Sequence, residues 1–539
     1  MSADNLPTNT LTCIEKEIAR VADETHQQLI FLSNLRAKRN SLLPVFRLPP
    51  ETLAIIFTRG ARDYHESHSA GHSTRYIPSW VNVSYVCSHW CNTALNCSTL
   101  WTYHFNLSLR WTEELLLRSK QASLKISCIY PSPPEEPCWR LNLVDKLLQH
   151  SERIQELCLH LPSHFIPATL SLCAHRLENL EIQFFRQPEW SLAISDGDTP
   201  VLRKLKLIRC SLPWHSFNLR RLNTLYLRRV PVQSNMAEFL ALLRDMQDLS
   251  ILQLEYALPS ARGLLSSGRL GTSPKINLPC LALLTVAAPL STVVALLSCV
   301  NTPSRTRLNL TPLHERGSSA RDYAPISSFL TQQFSASEQP SPSGLVFHSL
   351  IIHVSRLPEV TFNSSEHDHV PPSRVGELVH KIPLKITFGE EDEEMEMAEG
   401  DKHCIISDIC CSLPLKNLQS LNVLFPCQFS ADLWRGVLRD LDGLRYMKLS
   451  YGGMPDLSDL FLAAHESRES PGVQPTLDQH PTSRHIFIPA LEELELQQIT
   501  FTHDNVQRQG VMSKRSLFNA LSTRKALRDR VRMISCLVG

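Results

Sequence analysis

Ten stretches of this chain share one six-residue pattern, apolar-x-x-apolar-x-apolar, and no other feature restricts the fold as strongly. The pattern runs as "IQELCL" (Ile154, Leu157, Leu159), "LENLEI" (Leu177, Leu180, Ile182) and "LRKLKL" (Leu202, Leu205, Leu207). It continues as "LNTLYL" (Leu222, Leu225, Leu227), "LSILQL" (Leu249, Leu252, Leu254) and "LALLTV" (Leu281, Leu284, Val286). After a gap, "FHSLII", "LQSLNV", "LRYMKL" and "LEELEL" start at Phe347, Leu418, Leu444 and Leu491. The last two apolar positions of each stretch lie two residues apart, as alternate side chains on one face of a strand must. The first apolar position turns the chain into that strand. One such unit cannot cover its own apolar face, so neighbouring units must stack to share a core.

From Ile154 to Leu281 the units start 20 to 32 residues apart. That spacing and pattern are those of leucine-rich repeats. The expected fold class is α/β: an irregular solenoid over residues 106–539 whose strands form a parallel sheet. Leu205, Leu207, Leu225, Leu227, Leu252 and Leu254 are expected in one shared core. The residues between them point outward, which makes Lys204, Lys206, Thr224, Tyr226, Ile251 and Gln253 the candidate surface for a protein substrate. Stretches near 313–345, 355–380, 389–401 and 463–485 interrupt the array and read as disordered insertions. The third contains the dense acidic run "GEEDEEMEMAEGD", which reads as a solvated loop.

The first hundred residues follow other rules. Within residues 1–43, Ile14, Ile18, Val21, Leu29, Leu32 and Leu35 recur at helical spacing, although Thr25 and Gln28 break the stripe. Two readings stand for residues 11–43: packing on their own domain, or self-association. Next comes "FRLPPETLAIIF", where Pro49 and Pro50 suit a first helical turn and Glu51 lies near the positive end of the helix dipole. Residues 60–79 read as a polar, loose insertion. In "WVNVSYVCSHWCNTALNCSTLW", Trp80, Val83, Val86, Cys87 and Trp90 suggest one short helix carrying a heavy aromatic load.

Charge and composition narrow the function. Lys and Arg total 54 against 53 Asp and Glu, so the chain has no overall electrostatic footprint for nucleic acid or an anionic membrane. The uncharged run from Ile276 to Ser304 is long enough to span a bilayer, but Pro289 interrupts it. It reads as a buried strand (Leu281–Val286), a turn and a buried helix (Thr292–Val300), so no membrane partner is expected. The 16 cysteines are irregularly spaced, and the N-terminus has no apolar signal core. Reduced, intracellular thiols follow, with Cys410 and Cys411 read as buried rather than reactive. His65, His68 and His72 near Cys87, His89 and Cys91 match no zinc spacing, so no metal site is expected. Phosphate-loop, zinc-protease, nucleophile-elbow and kinase motifs are all missing, so no cofactor or catalytic residue is assigned. The basic segment "SKRSLFNALSTRKALRDRVRMISCLVG" reads as a cap on the array, with nuclear import or nucleic-acid contact as the competing reading.

Residues 44–105 resemble an F-box, in particular those of the large F-box families of mushroom-forming fungi. The resemblance rests on Leu48-Pro49-Pro50-Glu51, Ile55-Ile56-Phe57, Val86-Cys87-Ser88-His89-Trp90 and Leu100-Trp101. His89-Trp90 and Cys91-Asn92 depart from the more usual basic residues there. In that family a helix precedes the box and irregular leucine-rich repeats follow. The resemblance implies that the box docks on a Skp-family adaptor and, through it, a cullin. It implies Leu48, Pro49, Leu53, Ile56, Phe57, Val86, Trp90, Leu100 and Trp101 as contact residues, with Trp80 and Leu95 holding the small helical domain together. The protein is then expected to be a non-catalytic, intracellular substrate receptor of a ubiquitin ligase, in cytoplasm or nucleus. An adaptor-binding repeat scaffold without a role in ubiquitination is the alternative.

Overall fold

A computed structural model describes residues 6–68, 78–105, 109–129, 139–161, 175–185, 201–210, 219–230, 235–260, 275–335, 347, 349–353, 359–363, 384–390, 397–424, 431–438, 441, 443–453, 490–500, 515 and 532–537. The chain is an α/β protein with an N-terminal helix and a large parallel sheet. It divides into two compact units, Met1–Arg186 with Ala193–Val201, and Gln187–Leu192 with Leu202–Gly539.

The first unit opens with α1 (Leu6–Ser41) and α2 (Pro50–His68). A 3-10 helix (Ser79–Tyr85), α3 (Ser88–Asn96) and a second 3-10 helix (Ser98–Trp101) follow. Then β1 (Tyr103–Phe105), α4 (Leu109–Ser119), β2 (Leu124–Ile129), α5 (Trp139–Leu148), β3 (Ile154–Leu161) and β4 (Asn179–Phe184) alternate strand with helix. The four strands pair in parallel in chain order.

Several expectations for this region are corrected. α2 continues to His68, because Ala61 and His65 extend the buried face begun by Leu53 and Phe57, so residues 60–68 are helix and not the expected loose insertion, the rest of which, apart from Pro78 and Ser79, lies outside the described residues. His65 is a core residue, stacked on Tyr103 with ring centroids 4.7 Å apart. The single helix expected from Trp80 to Leu95 is broken. Cys87 adopts extended backbone and caps α3, its Sγ accepting the Trp90 N–H at 3.4 Å. The break changes the helical phase and leaves Val86 facing outward. Leu95 is also exposed and takes no part in the core, whereas Trp80 is buried as expected. Beyond the buried Trp101, β1 begins at Tyr103 and pairs with β2. α1 spans the expected helix, but its described side chains through residue 39 are exposed, so it does not pack on its own domain.

The second unit contains β5 (Lys204–Ile208), β6 (Thr224–Arg228), α6 (Met236–Asp245), β7 (Ile251–Glu255), β8 (Ile276–Asn277), β9 (Leu283–Pro289), α7 (Leu290–Cys299), β10 (Val300–Asn301), β11 (Arg307–His314) and α8 (Ala324–Ser335). It continues with β12 (Ser349–His353), β13 (Glu359–Asn363), β14 (Leu384–Thr387), β15 (Gly389–Glu390), α9 (Glu399–Cys411), β16 (Ser420–Leu424), α10 (Ala431–Leu438), β17 (Tyr446–Gly453), β18 (Glu493–Thr500) and β19 (Arg532–Leu537). β5, β6, β7, β9 and β11 pair in parallel, and so do β16, β17, β18 and β19. Parallel neighbours need long crossovers. Several of these carry helices with buried apolar residues, as α6 does with Met236, Phe239, Leu240 and Leu243.

Three successive strands, β6, β7 and β9, are entered through the same backbone joint. The Arg203 carbonyl accepts N–H bonds from both Asn223 and Thr224, the Asn223 carbonyl from Ser250 and Ile251, and the Ser250 carbonyl from Ala282 and Leu283. Strands β5, β6 and β7 are each followed by a left-handed residue: Arg209 (φ 54°), Arg229 (φ 50°) and Tyr256 (φ 52°). Left-handed backbone is costly for such residues. It turns their N–H groups onto the carbonyls of Arg228, Glu255 and Ala287, at 2.8, 2.8 and 2.7 Å.

The array has one reversed strand among the described residues. β13 runs antiparallel to both β14 and β12, so the order is β11, β14, β13, β12, β16. One strand therefore arises where the insertion 355–380 was expected: Val360, on β13, is fully buried, as are Leu384 and Ile386 on the neighbouring β14. The expected insertion 313–345 is likewise helical over 324–335, where Ile326, Leu330 and Phe334 form a buried stripe. A capping box between Ser319 and Asp322 opens that segment. In the acidic run, β15 and the start of α9 replace a continuous loop. Residues 463–485 lie outside the described residues, as does most of the basic C-terminal segment, of which Arg532–Leu537 is strand β19. β9 and α7 match the expected strand and helix, and in place of the expected turn Pro289 ends the one and caps the other; among the described residues no helix is long and apolar enough to cross a membrane.

Two measurements test this packing. Leu252 is fully buried while its neighbour Ile251 faces outward. Leu252→Ala should cost about 2–5 kcal/mol in denaturant unfolding, and Ile251→Ala under about 1 kcal/mol. In the first unit, burial, reinforced by the charges of Arg153, His150 and His65, lowers the His104 imidazole from 6.5 to about 3. The unfolded chain therefore binds a proton first as pH falls below 6.5. Stability from neutral His104 is complete above that value and is lost towards pH 3, with a slope approaching about 1.4 kcal/mol per pH unit. Urea titrations between pH 7 and 5 should show this slope in the wild type and its loss in His104→Leu.

Candidate functional site

Two surfaces carry the residues singled out by the sequence, one in each unit. In the first unit, the apolar stripe of α2 is the core of its own small domain. Leu53, Phe57 and Ala61 pack with Trp80, Val81, Ala94, Leu100, Trp101 and Leu115. Phe57 lies 5.0 Å from Trp90 between ring centroids, and Trp80 lies 5.5 Å from Trp101. The Trp101 indole N–H donates to the Ala94 carbonyl at 2.7 Å, and the Arg118 guanidinium covers its ring at 4.4 Å. Phe46, just before the Pro-Pro pair, packs its ring 5.3 Å from His89.

The nine residues that the resemblance implied for one contact surface are therefore divided. Leu53 (1% exposed), Phe57 (3%), Leu100 and Trp101 are interior. Leu48 and Trp90 are half-buried against that interior. Pro49, Ile56 and Val86 face outward. A side chain at the centre of a closed core presents no area to another protein, so the interior four act by holding the domain's shape. Ile55 (68% exposed) and Tyr85 (69%) stand outward with Ile56 (50%) and Val86 (56%). Helical spacing places Ile56 on one face with Leu53 and Phe57, and Ile55 at its edge, but packing buries only Leu53 and Phe57 and leaves both isoleucines outward. Tyr85 was missed, because the helical break beside it is not legible in the sequence. Between α2 and α3 lies an open depression of about 330 Å³, lined by Pro50, Glu51, Ala54, His89, Asn92, Thr93, Asn96 and Cys97.

One observation unites this region. Among the described residues, every exposed large hydrophobic except Tyr256 lies between Leu11 and Leu117.

In the second unit, the six expected outward residues form two cross-strand rows. Lys204, Thr224 and Ile251 are in register across β5, β6 and β7, and so are Lys206, Tyr226 and Gln253. The leucines between them are fully buried. The outward face is also tied together by polar contacts. The Tyr226 hydroxyl donates to Glu255 at 3.2 Å, Arg228 pairs with the same carboxylate at 3.1 Å, and Lys206 lies 5.4 Å from the Tyr226 ring. Burial, then the Glu255 charge, raises the Tyr226 phenol above its ordinary value. The arrangement recurs on β17 and β18, where Tyr446 donates to Glu495 and Lys448 reaches that carboxylate at 2.9 Å. Such a face offers charge, hydrogen-bonding groups and one aromatic ring. The Tyr–Glu–base groupings were missed because register, not sequence, brings their members together.

The sequence reading also missed a third cluster, on the first unit. Cys158, His160 and Glu181 place their ligand-type atoms within 4.8 Å of one another. Three atoms are one fewer than structural zinc uses. A 3.0 Å hydrogen bond between His160 and Glu181 accounts for the grouping. Cys410 is buried, and burial raises its thiol well above the ordinary range, as its apolar neighbours suggested; Cys411 is exposed. No protein-family model matches the chain, and no curated protein matches its sequence.

Proposed function

We propose that the chain is a substrate-recognition subunit of a Skp–cullin–F-box ubiquitin ligase. In this reading the helical region of residues 44–105 is an F-box, and the phased strands are an irregular leucine-rich-repeat solenoid. The exposed apolar side chains of Ile55, Ile56, Tyr85 and Val86, outside a core that is already complete, carry the proposal. Soluble chains rarely leave so much large apolar surface in one region unless another protein covers it. The adaptor contact falls to Pro49, Ile55, Ile56, Tyr85 and Val86, while Leu53, Phe57, Leu100 and Trp101 support it from beneath. The outward rows of β5–β7 hold the substrate, and ligase chemistry follows from the high local concentration of the target.

Binding of a purified Skp-family adaptor, measured by calorimetry, tests the first half. Ile55→Asp with Ile56→Asp should leave the fold intact and weaken binding by about 2 kcal/mol or more, roughly 30-fold. Undiminished binding by that variant, or no binding by the wild type, would refute the proposal. Co-purification of the cullin with the adaptor separates a ligase subunit from a scaffold.

For the second half, Lys204→Glu and Lys206→Glu combined with Tyr226→Ala should reduce substrate capture several-fold while adaptor binding is unchanged. Capture that survives those changes but fails on deletion of residues 463–485 would move recognition to that segment.

A further inference from the structure

α1 is a 36-residue helix whose described side chains through residue 39 are exposed. It extends about 54 Å. Ile14, Ile18, Val21, Leu32 and Leu35 are 42 to 63% exposed along it. An isolated helix in water is only marginally stable, and helices in proteins are held mainly by burying an apolar face. No described residue of this chain covers that face.

The spacing is a heptad. With Leu11 at position a, the a and d positions are Ile14, Ile18, Val21, Thr25, Gln28, Leu32, Leu35 and Arg39. Flanking positions e and g hold Glu15, Glu17, Ala22, Glu24, Leu29, Phe31, Arg36 and Lys38. The acids of the helix all precede residue 25: Glu15, Glu17, Asp23 and Glu24. Residues 26–41 carry Arg36, Lys38 and Arg39 with no acid.

We infer that α1 pairs with α1 of a second copy of this chain as an antiparallel two-stranded coiled coil. Antiparallel pairing stacks a on d of the other helix. Ile18 then meets Leu35 and Val21 meets Leu32, each twice by symmetry. Thr25 meets Gln28 at the centre, and the Arg39 stem covers Ile14. The two polar residues that interrupt the stripe thus face each other, and the two adjoining polar layers at the centre favour a single register. The Thr25 hydroxyl already donates to the Val21 carbonyl at 2.7 Å, which leaves its methyl for the seam.

The charged flanks agree with this orientation. Glu15 lies opposite Arg36, Glu17 opposite Lys38, and the small Ala22 opposite Leu29, while Glu24, held by Arg20, falls opposite Phe31. Arg20 holds Glu17, at 2.5 Å, and Glu24 along the same edge. Parallel pairing would set Glu17 against Ala22, Glu24 against Leu29 and Phe31 against Arg36. It would also lay acidic half beside acidic half. The charges therefore choose the antiparallel arrangement.

Sedimentation equilibrium on the full chain at micromolar concentration tests the inference. The wild type should be a dimer. Glu15→Lys with Glu17→Lys makes all four flanking pairs repulsive, and so does Arg36→Glu with Lys38→Glu. Each double variant alone should dissociate tenfold or more readily. Mixed in equal amounts, the two should form a heterodimer, since every flanking pair is again opposite in sign. A monomeric wild type would overturn the inference, as would a dimer indifferent to both double changes. A mixture that stays monomeric would overturn it too. All four changed positions are exposed on α1, so the near-ultraviolet circular dichroism of the core tryptophans should match the wild type in every variant, and mixing should restore any helix content that the separate variants lose.

Discussion

A strand with leucines at alternate positions on one face cannot stand alone, and the rest of this molecule follows from that constraint. Leu205 and Leu207 are fully buried only because Leu225 and Leu227 lie beside them in register, and those in turn meet Leu252 and Leu254. Parallel neighbours require a return path, so helices such as α6 and α7 appear between strands and close the other side of the core. The strand ends bear the cost. Three successive non-glycine residues take left-handed backbone, and each uses it to reach the carbonyl of the next strand.

The same constraint leaves one face of the sheet free. Core positions are occupied by leucine, so variation is confined to the residues between. There the structure makes networks rather than isolated charges: Tyr226 and Arg228 share Glu255, and Tyr446 and Lys448 share Glu495. These pairs are half-exposed and worth little as stability. Their effect is to fix the orientation of the groups a partner would meet.

The helical region solves a different problem. Residues 44–105 are too few to bury many large side chains without a dense centre. Trp80, Trp101, Phe57 and Leu53 provide it, and Trp101 runs directly into β1. What remains outside is apolar as well, on α2, around the Cys87 break and along α1. Interior and surface hydrophobics thus lie on adjacent residues of the same helix, Phe57 beside Ile56.

The six-residue pattern by itself determined the class of fold, the positions of ten strands and which of their leucines share the core, because a two-residue alternation depends only on local backbone geometry. Helical periodicity likewise placed α1, α2 and α7. Tertiary structure decided what local spacing does not encode. The reversed strand β13 depends on which neighbour β14 meets, and α8 escaped notice because polar and proline-rich residues surround its buried stripe. The side on which Leu53, Phe57, Leu100 and Trp101 lie was settled by the closure of the aromatic core. An apolar residue reads the same in sequence whether its own chain or another covers it.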